Sequence, residues 1–200
     1  MQYTRWGIMI EANPTKPLVK GGRNVRTKRI LLFIASLIII GAVGYALTDR
    51  FGHHPGELSP SVEEGGLARG FILRTLDGGE ASLEAYRGKA VVVVNFWATW
   101  CPPCRAEIPD LVDFYKAHEK DGVVILAVNL REPESQVRDF ARSAGMVFPV
   151  LLDLSGDVAN VYKVEAIPTT VVVDKSGVIR SRIVGATSRE ELESIVKPLL

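Results

Sequence analysis

The sequence is poor in cysteine: its 200 residues contain only two, Cys101 and Cys104. Structural zinc usually takes four protein ligands, so this pair is too small to build such a site by itself. A disulfide between them would enclose only two residues, and it would therefore constrain the unfolded chain and stabilise the fold only slightly. Arg105 follows Cys104 where a c-type haem attachment motif requires histidine. We therefore predict no metal and no cofactor, and we favour a cysteine pair that works in redox chemistry.

The segments on either side of the pair predict a strand that leads into a helix. Residues 90–97 form a near-continuous apolar run, which is typical of a central strand buried on both faces. Residues 103–120 have the apolar spacing of a helix that packs on a sheet. Cys101 would lie at the helix N-terminus, where free N–H groups and the dipole stabilise a thiolate. We predict that Cys101 is the accessible attacking thiol and that Cys104, one turn into the helix, is the shielded resolving thiol.

The two residues between the cysteines, Pro102 and Pro103, carry no backbone N–H group that could donate to the Cys101 sulfur. The nearest backbone donors are then those of Cys104 and Arg105. We infer that the Cys101 thiolate is less stabilised than in pairs with a donor between the cysteines. This hypothesis predicts a moderately lowered pKa for the Cys101 thiol and a reducing couple.

Four further residues flank the pair or the strands beside it. Glu107 lies three residues after Cys104, on the same side of the helix. Its spacing alone favours a solvated residue that suits the helix dipole; the alternative is a carboxylate that raises the pKa of the resolving thiol and relays its proton. Trp97 is predicted in the core, and Trp100 on a docking surface that caps the site. Pro168 opens a predicted strand, and by spacing alone it is an ordinary trans proline.

The formal net charge of +1 hides an asymmetry along the chain. Residues 1–29 carry seven Lys/Arg and one acidic residue, whereas residues 30–200 carry 17 basic and 22 acidic residues. The stretch 30–47 has no charged residue. As an α-helix it would cover about 27 Å, close to the roughly 30 Å of bilayer hydrocarbon. The positive-inside rule then keeps the basic segment in the cytoplasm and places the residues after the apolar run outside.

We therefore predict a basic cytoplasmic tail at 1–29, a single transmembrane anchor at 30–48, a tether at 49–66 and a folded domain at 67–200. A cleaved signal peptide is the alternative, but the basic leader is long and no small-x-small cleavage site comes after the apolar run. A buried helix of a soluble domain is disfavoured because the run is apolar on every side. The domain would face a compartment that tolerates disulfides.

Hydrophobic periodicity within the domain predicts two strands, a helix, a strand, a helix, a short strand, a strand pair and a last helix. The predicted strands are 71–76, 91–96, 123–129, 147–151, 169–173 and 178–184, and the helices are 103–120, 134–144 and one opened by a capping box at Ser188 and Glu191. This order predicts an α/β fold with a mixed sheet and helices on both faces.

Residues 95–109 read Asn-Phe-Trp-Ala-Thr-Trp-Cys-Pro-Pro-Cys-Arg-Ala-Glu-Ile-Pro, and they resemble the active-site segment of membrane-anchored thioredoxin-like proteins of the TlpA/ResA/CcmG group. The sequence Ile-Pro-Thr-Thr at 167–170 is similar to the cis-proline loop of these proteins. The resemblance covers about residues 58–200. It implies a thioredoxin fold with an extra N-terminal β-hairpin.

The resemblance also implies a redox-active Cys101–Cys104 disulfide, faced by a cis Pro168, and a redox-tuning role for Glu107. The predicted tuning or substrate-contact residues are Trp100, Pro102, Pro103, Glu107, Ile167 and Pro168. The Pro-Pro pair departs from the group, whose members often carry a different residue first, and this leaves the redox potential and the choice of partner open.

A protein-disulfide reductase outside the membrane is the function that the resemblance implies. It would receive electrons from a transmembrane donor of the CcdA/DsbD type, and its substrate would commonly be apocytochrome c; no nucleic-acid partner is predicted. One alternative is a disulfide-forming oxidant. This function is disfavoured because the short domain leaves little space for the helical insertion of many such oxidants. Another is a docking module whose cysteines are incidental.

Overall fold

The computed structural model describes residues 30, 34–39 and 60–200. The chain divides into two units, Met1–Pro55 and Gly56–Leu200, and the sheet with its helices belongs to the second unit. The predicted tail lies outside the described residues, as do most of the predicted anchor and most of the predicted tether. In the part of the chain that is described, no helix has the length and apolar character needed to span a bilayer.

The second unit alternates strands and helices along the chain. Its strands are β1 (Pro60–Ser61), β2 (Leu67–Ala68), β3 (Ile72–Thr75), β4 (Glu80–Ser82), β5 (Val91–Trp97), β6 (Val123–Leu130), β7 (Val150–Asp153), β8 (Thr169–Val173) and β9 (Ile179–Val184). Its α-helices are α1 (Pro102–His118), α2 (Glu134–Ser143), α3 (Asp157–Val161) and α4 (Arg189–Val196). Short 3-10 turns occupy Leu83–Tyr86, Glu119–Asp121 and Lys197–Leu199.

Strands β3 to β9 form one mixed sheet with the spatial order β4-β3-β7-β6-β5-β8-β9. Strands β5, β6 and β7 run parallel, whereas β3 and β8 run antiparallel to their neighbours. Strands β3 and β4 make the expected N-terminal hairpin, and β8 and β9 make a second one. Strands β1 and β2 form a separate parallel pair. This is the mixed sheet that the sequence predicts.

Apolar layers cover both faces of the sheet. Helices α1, α2 and α4 pack on one face, and α3 with the 3-10 turn at Leu83–Tyr86 packs on the other. Strand β5 is buried along its whole length, and its alternate residues enter the two layers because strand side chains point to opposite faces in turn. The first layer takes Val91, Val93 and Trp97, and the second takes Val92, Val94 and Phe96.

Residues 60–66, which the sequence assigned to the tether, are part of the folded unit. Val62 is buried, and the N–H of Gly65 donates to the carbonyl of Ile179 at 2.8 Å. The N–H of Ala68 likewise donates to the carbonyl of Gly177 at 2.8 Å. This segment covers the outer edge of β9, whose backbone groups would otherwise stay unpaired there. The segment is rich in glycine and acidic residues, which is typical of a tether, so the sequence did not predict this pairing.

The other predicted elements form close to their expected bounds. The helix predicted over 103–120 is α1, and the chain leaves its direction at Gly122, which adopts a φ of 84° that favours glycine. The strand predicted over 147–151 lies later, at β7, because pairing with β6 begins only at Val150.

The capping box predicted for α4 is half formed. The Ser188 hydroxyl accepts the N–H of Glu191 at 3.2 Å, as expected of an N-cap. The Glu191 carboxylate does not return to Ser188; it accepts the hydroxyl of Thr187 at 2.9 Å. This bond helps to fix Thr187, whose backbone N–H donates to Glu107 in α1.

Candidate active site

Four chain segments meet at one edge of the sheet. Strands β5 and β6 are parallel, so the segments that follow them, 98–101 and 131–133, lie side by side. Strand β8 runs antiparallel to β5 with Thr169 opposite Phe96, so the residues before β8 lie beside those after β5. Strand β9 ends opposite the start of β8. The cysteine pair, Pro168 and the loop before α4 are thereby brought together.

Cys101 and Cys104 form a disulfide, with their Cα atoms 5.3 Å apart. Cys101 is the N-cap residue of α1, and Pro102 and Pro103 form the start of its first turn. Proline suits these positions because its φ is already helical and because first-turn N–H groups have no intrahelical partner. The two prolines thus start the helix directly after Cys101, and Cys101 lies at its N-terminus.

Within the described residues, one backbone N–H group donates to the Cys101 sulfur. It is that of Cys104, with 3.2 Å between N and Sγ. The Arg105 N–H, which the sequence offered as a second donor, donates instead to the carbonyl of Cys101 at 3.1 Å. The sulfur therefore receives fewer backbone donors than the spacing alone suggests.

The peptide bond between Ile167 and Pro168 is cis, as the family resemblance implies and unlike the trans bond favoured by spacing alone. The Ile167 carbonyl oxygen lies 3.6 Å from the Cys101 sulfur. The Pro168 carbonyl accepts the N–H of Gly185, which comes directly after β9, at 2.8 Å. The Ile167 carbonyl therefore contacts the Cys101 sulfur, and Pro168 follows it directly in the chain.

The expectation of an accessible Cys101 is wrong for the disulfide form. Cys101 is only 2% exposed, and Cys104 is fully buried. The cause is the loop before β8, which places the Ile167 carbonyl against the Cys101 sulfur. Attack on this sulfur therefore requires a local opening between the loop and the helix N-terminus.

Trp97 lies in the core, as the sequence predicts, and Trp100 lies at the surface. Trp97 is fully buried and contacts the ring of Phe140, with 5.5 Å between ring centroids. Trp100 is 66% exposed and precedes Cys101 directly. Trp100 and Ile167 also line a groove of about 330 Å³ that extends to Arg131 and Glu165. A groove of mixed polar and apolar lining thus lies beside Trp100, the residue that precedes Cys101.

Glu107 is 2% exposed, so the solvated residue favoured by spacing alone is not what forms. Its Oε1 accepts the side-chain amide of Asn95 at 2.8 Å, and its Oε2 accepts the N–H of Thr187 at 2.9 Å. Burial raises the pKa of the Glu107 carboxyl to about 7, although these two hydrogen bonds favour its ionised form. Glu107 lies one helical turn from Cys104 on the buried side of α1.

Asn95 and Thr187 donate to Glu107, Thr170 supports Asn95, and the sequence analysis missed all three. Asn95 lies opposite Thr170 across β5 and β8, and its amide also donates to the Thr170 hydroxyl at 3.0 Å. A signal existed for one of them, because Asn95 is a polar residue near the end of an otherwise apolar buried strand, and such a residue needs a partner. Thr187 lies 80 residues from Glu107 and offers no local pattern.

Comparison with known proteins assigns this arrangement to a family. The model of the AhpC/TSA family matches residues 65–182. The chain belongs to the AhpC/TSA family. It is also 39% identical over 157 residues to the thiol-disulfide oxidoreductase ResA of Geobacillus kaustophilus, a match that covers 78% of this chain and 87% of that protein.

Solved structures agree with this membership. StoA from Bacillus subtilis is 30% identical with a TM-score of 0.58, and the match covers 64% of this chain and 96% of StoA. A thiol:disulfide interchange protein of the thioredoxin family from Chlorobium tepidum TLS is 32% identical with a TM-score of 0.59. The match covers 72% of this chain and 99% of that protein. The predicted thioredoxin fold, family and enzyme class are confirmed: this is a thiol–disulfide oxidoreductase of the ResA type.

We expect the buried Glu107 to make the stability of the oxidised protein depend on pH. The folded carboxyl has a pKa of about 7 against an ordinary value of 4.5, so the folded state holds a proton that the unfolded state loses. The free energy of unfolding should therefore fall as the pH rises from about 4.5 to about 7, by on the order of 3 kcal/mol for this group. Urea denaturation of the oxidised protein at pH 5 and pH 8 measures the change.

The Glu107→Gln variant should lose this part of the pH dependence, and Glu119→Gln, which changes an exposed carboxylate just after the same helix, should keep it. An unchanged pH dependence in Glu107→Gln would show that the carboxyl is ionised in the folded protein throughout the range.

Proposed function

We propose that this enzyme is an extracytoplasmic reductase of protein disulfides, held to the membrane by residues 30–48. The observation that carries the reducing direction is the single described backbone donor to the Cys101 sulfur. A weakly stabilised thiolate makes the dithiol form a readier electron donor, because the reduced state of a strong oxidant is stabilised by a very low thiol pKa.

The reduction proceeds in two successive thiol–disulfide exchanges. The Cys101 thiolate attacks one sulfur of a substrate disulfide, and a mixed disulfide forms while the other substrate sulfur leaves as a thiolate and takes a proton. The Cys104 thiolate then attacks the Cys101 sulfur and releases the second substrate thiolate. The enzyme ends with the Cys101–Cys104 disulfide, and the substrate has gained two electrons and two protons.

Glu107 serves the resolving step in this scheme. Cys104 must lose its proton before it attacks, and the nearest carboxyl along its helix is buried with a pKa of about 7. A group of this pKa accepts and returns protons at neutral pH without a large free-energy difference in either direction. The hydrogen bonds from Asn95 and Thr187 keep the carboxylate oriented while it does so.

The substrate approaches over Trp100 and the loop before β8. The exposed Trp100 offers an apolar surface, and the neighbouring groove adds apolar and polar contacts, for residues that flank a partner's disulfide. The Ile167 carbonyl lies beside the Cys101 sulfur, where it can accept a backbone N–H from an extended substrate segment. Apocytochrome c is the proposed substrate, and a transmembrane donor of the CcdA/DsbD type restores the dithiol.

A disulfide-forming oxidant is the second candidate, and the acidity of the Cys101 thiol distinguishes the two. We expect a moderately lowered pKa; a value near 3.5, as in strong oxidants, would contradict the reductase. Pro103→Ala should lower the pKa of Cys101 further, by about one unit, because it adds a backbone N–H beside the sulfur. Thiolate absorbance at 240 nm against pH gives the value, and Pro109→Ala, a proline replaced later in α1, should leave it unchanged.

A Cys104→Ala variant should accumulate mixed disulfides with its true substrates, because the resolving thiol is absent. We expect mass spectrometry of the trapped complexes to identify proteins with CxxCH segments. Cys101→Ser is the matched control and should trap nothing. Trapped partners without any haem attachment motif would overturn apocytochrome c as substrate, while still supporting a reductase.

Alkaline phosphatase fusions test the proposed orientation, because this reporter is active only outside the cytoplasm. A fusion after residue 60 should be active and remain with the membrane fraction, and a fusion after residue 29 should be inactive, since the basic residues before the apolar run stay inside. Activity released into the soluble extracytoplasmic fraction would indicate a cleaved signal peptide instead of an anchor.

A further inference from the structure

A buried carboxylate lies beside the turn that leads into the cysteine pair. Residues 98–101 form this turn, which is closed by the N–H of Cys101 donating to the carbonyl of Ala98 at 3.3 Å. The N–H of the second turn residue, Thr99, is not used by such a turn and needs another acceptor once it is buried. Thr99 is buried, and its acceptor is Glu132, from the loop between β6 and α2.

Glu132 receives four hydrogen bonds from neutral donors. Its Oε2 accepts the Thr99 N–H and the side-chain amide of Asn129, each at 2.7 Å. Its Oε1 accepts the Thr99 hydroxyl at 2.5 Å and the side-chain amide of Gln136 at 2.8 Å. Gln136 also donates to the Thr99 hydroxyl at 2.7 Å, which closes the network. Glu132 is only 5% exposed, and a carboxylate at this depth is tolerated when such donors surround it.

The backbone beside Glu132 is held in an uncommon conformation. Arg131 has a φ of 55°, a region that is costly for a residue with a Cβ and persists where its surroundings impose it. The Arg131 N–H donates to the carbonyl of Asp153, and its Nε donates to the carbonyl of Ser155, both at 3.1 Å. This conformation lets Arg131 stay exposed while the next residue, Glu132, turns inward to Thr99.

We propose that Glu132 is a positioning residue for thiol–disulfide exchange. It fixes Thr99 through both the backbone and the side chain, and Thr99 is two residues before Cys101. The position of the attacking sulfur at the start of α1, beside Ile167, is therefore set in part from the β6–α2 loop. Glu132 acts through Thr99 and is not itself a catalytic residue.

The test compares reaction rates of the reduced, full-length protein with the aromatic disulfide DTNB across a range of pH. Such a profile separates the thiol pKa from the limiting rate of the fully ionised thiolate. Glu132→Gln should lower the limiting rate about tenfold, because an amide group would face donors and displace the turn, and small displacements of a reacting group cost rate steeply. Thr99→Val keeps the carboxylate but loses the hydroxyl bonds, and it should lower the limiting rate about threefold.

Two further variants separate position from charge and from folding. Glu134→Gln removes a nearby carboxylate that pairs with Arg74 and Arg138 and does not contact Thr99, so its limiting rate should stay within twofold of wild type. Thr99→Ser keeps both donors to Glu132 and should restore the rate lost in Thr99→Val. If Glu132→Gln does not fold, the limiting rates of Thr99→Val and Thr99→Ser test the proposal by themselves.

Limiting rates within twofold of wild type in folded Glu132→Gln and in Thr99→Val would overturn the proposal and leave Glu132 a purely structural residue. An equal loss of rate in Glu134→Gln would overturn it as well, because charge and not position would then be responsible.

Discussion

The antiparallel pairing of β8 with β5 is the constraint on which the redox site depends. Because Thr169 lies opposite Phe96, the residues that precede β8 must lie beside the residues that come after β5. A parallel β8 would carry its first residues to the opposite edge of the sheet, and Ile167 could not contact the Cys101 sulfur. The β8–β9 hairpin has a similar effect. It returns the chain to this edge of the sheet, where the Thr187 N–H donates to Glu107.

Two buried carboxyl groups, Glu107 and Glu132, lie near the start of α1 and are held by different partners. Glu107 receives two hydrogen bonds, and burial keeps its pKa near neutrality. Glu132 receives four donors, two of them from Thr99. One carboxyl is thus suited to exchange protons beside Cys104, and the other is suited to hold backbone in place before Cys101.

Local patterns in the sequence were sufficient for the central strands β5, β6 and β8, the helix at the cysteines and the chemistry of the pair, but not for the β1–β2 pair or the start of β7. The apolar run of β5, the prolines at the start of α1 and the Ser188 cap all act within a few residues, so spacing reveals them. The burial of Cys101 and the partners of Glu107 depend on contacts between residues up to 80 positions apart. Periodicity does not encode such contacts, so Thr187 and Glu132 offered no local signal, whereas Asn95 stood out as a polar residue in an apolar strand.

The burial of the disulfide has a consequence for which thiols can reduce it. Cys101 is only 2% exposed in the oxidised protein, so small free thiols have little access to its sulfur. A large protein partner can bind across the surrounding surface and use that binding energy to displace the covering loop. The oxidised enzyme therefore discriminates against chance encounters through geometry alone, before any difference in redox potential comes into play.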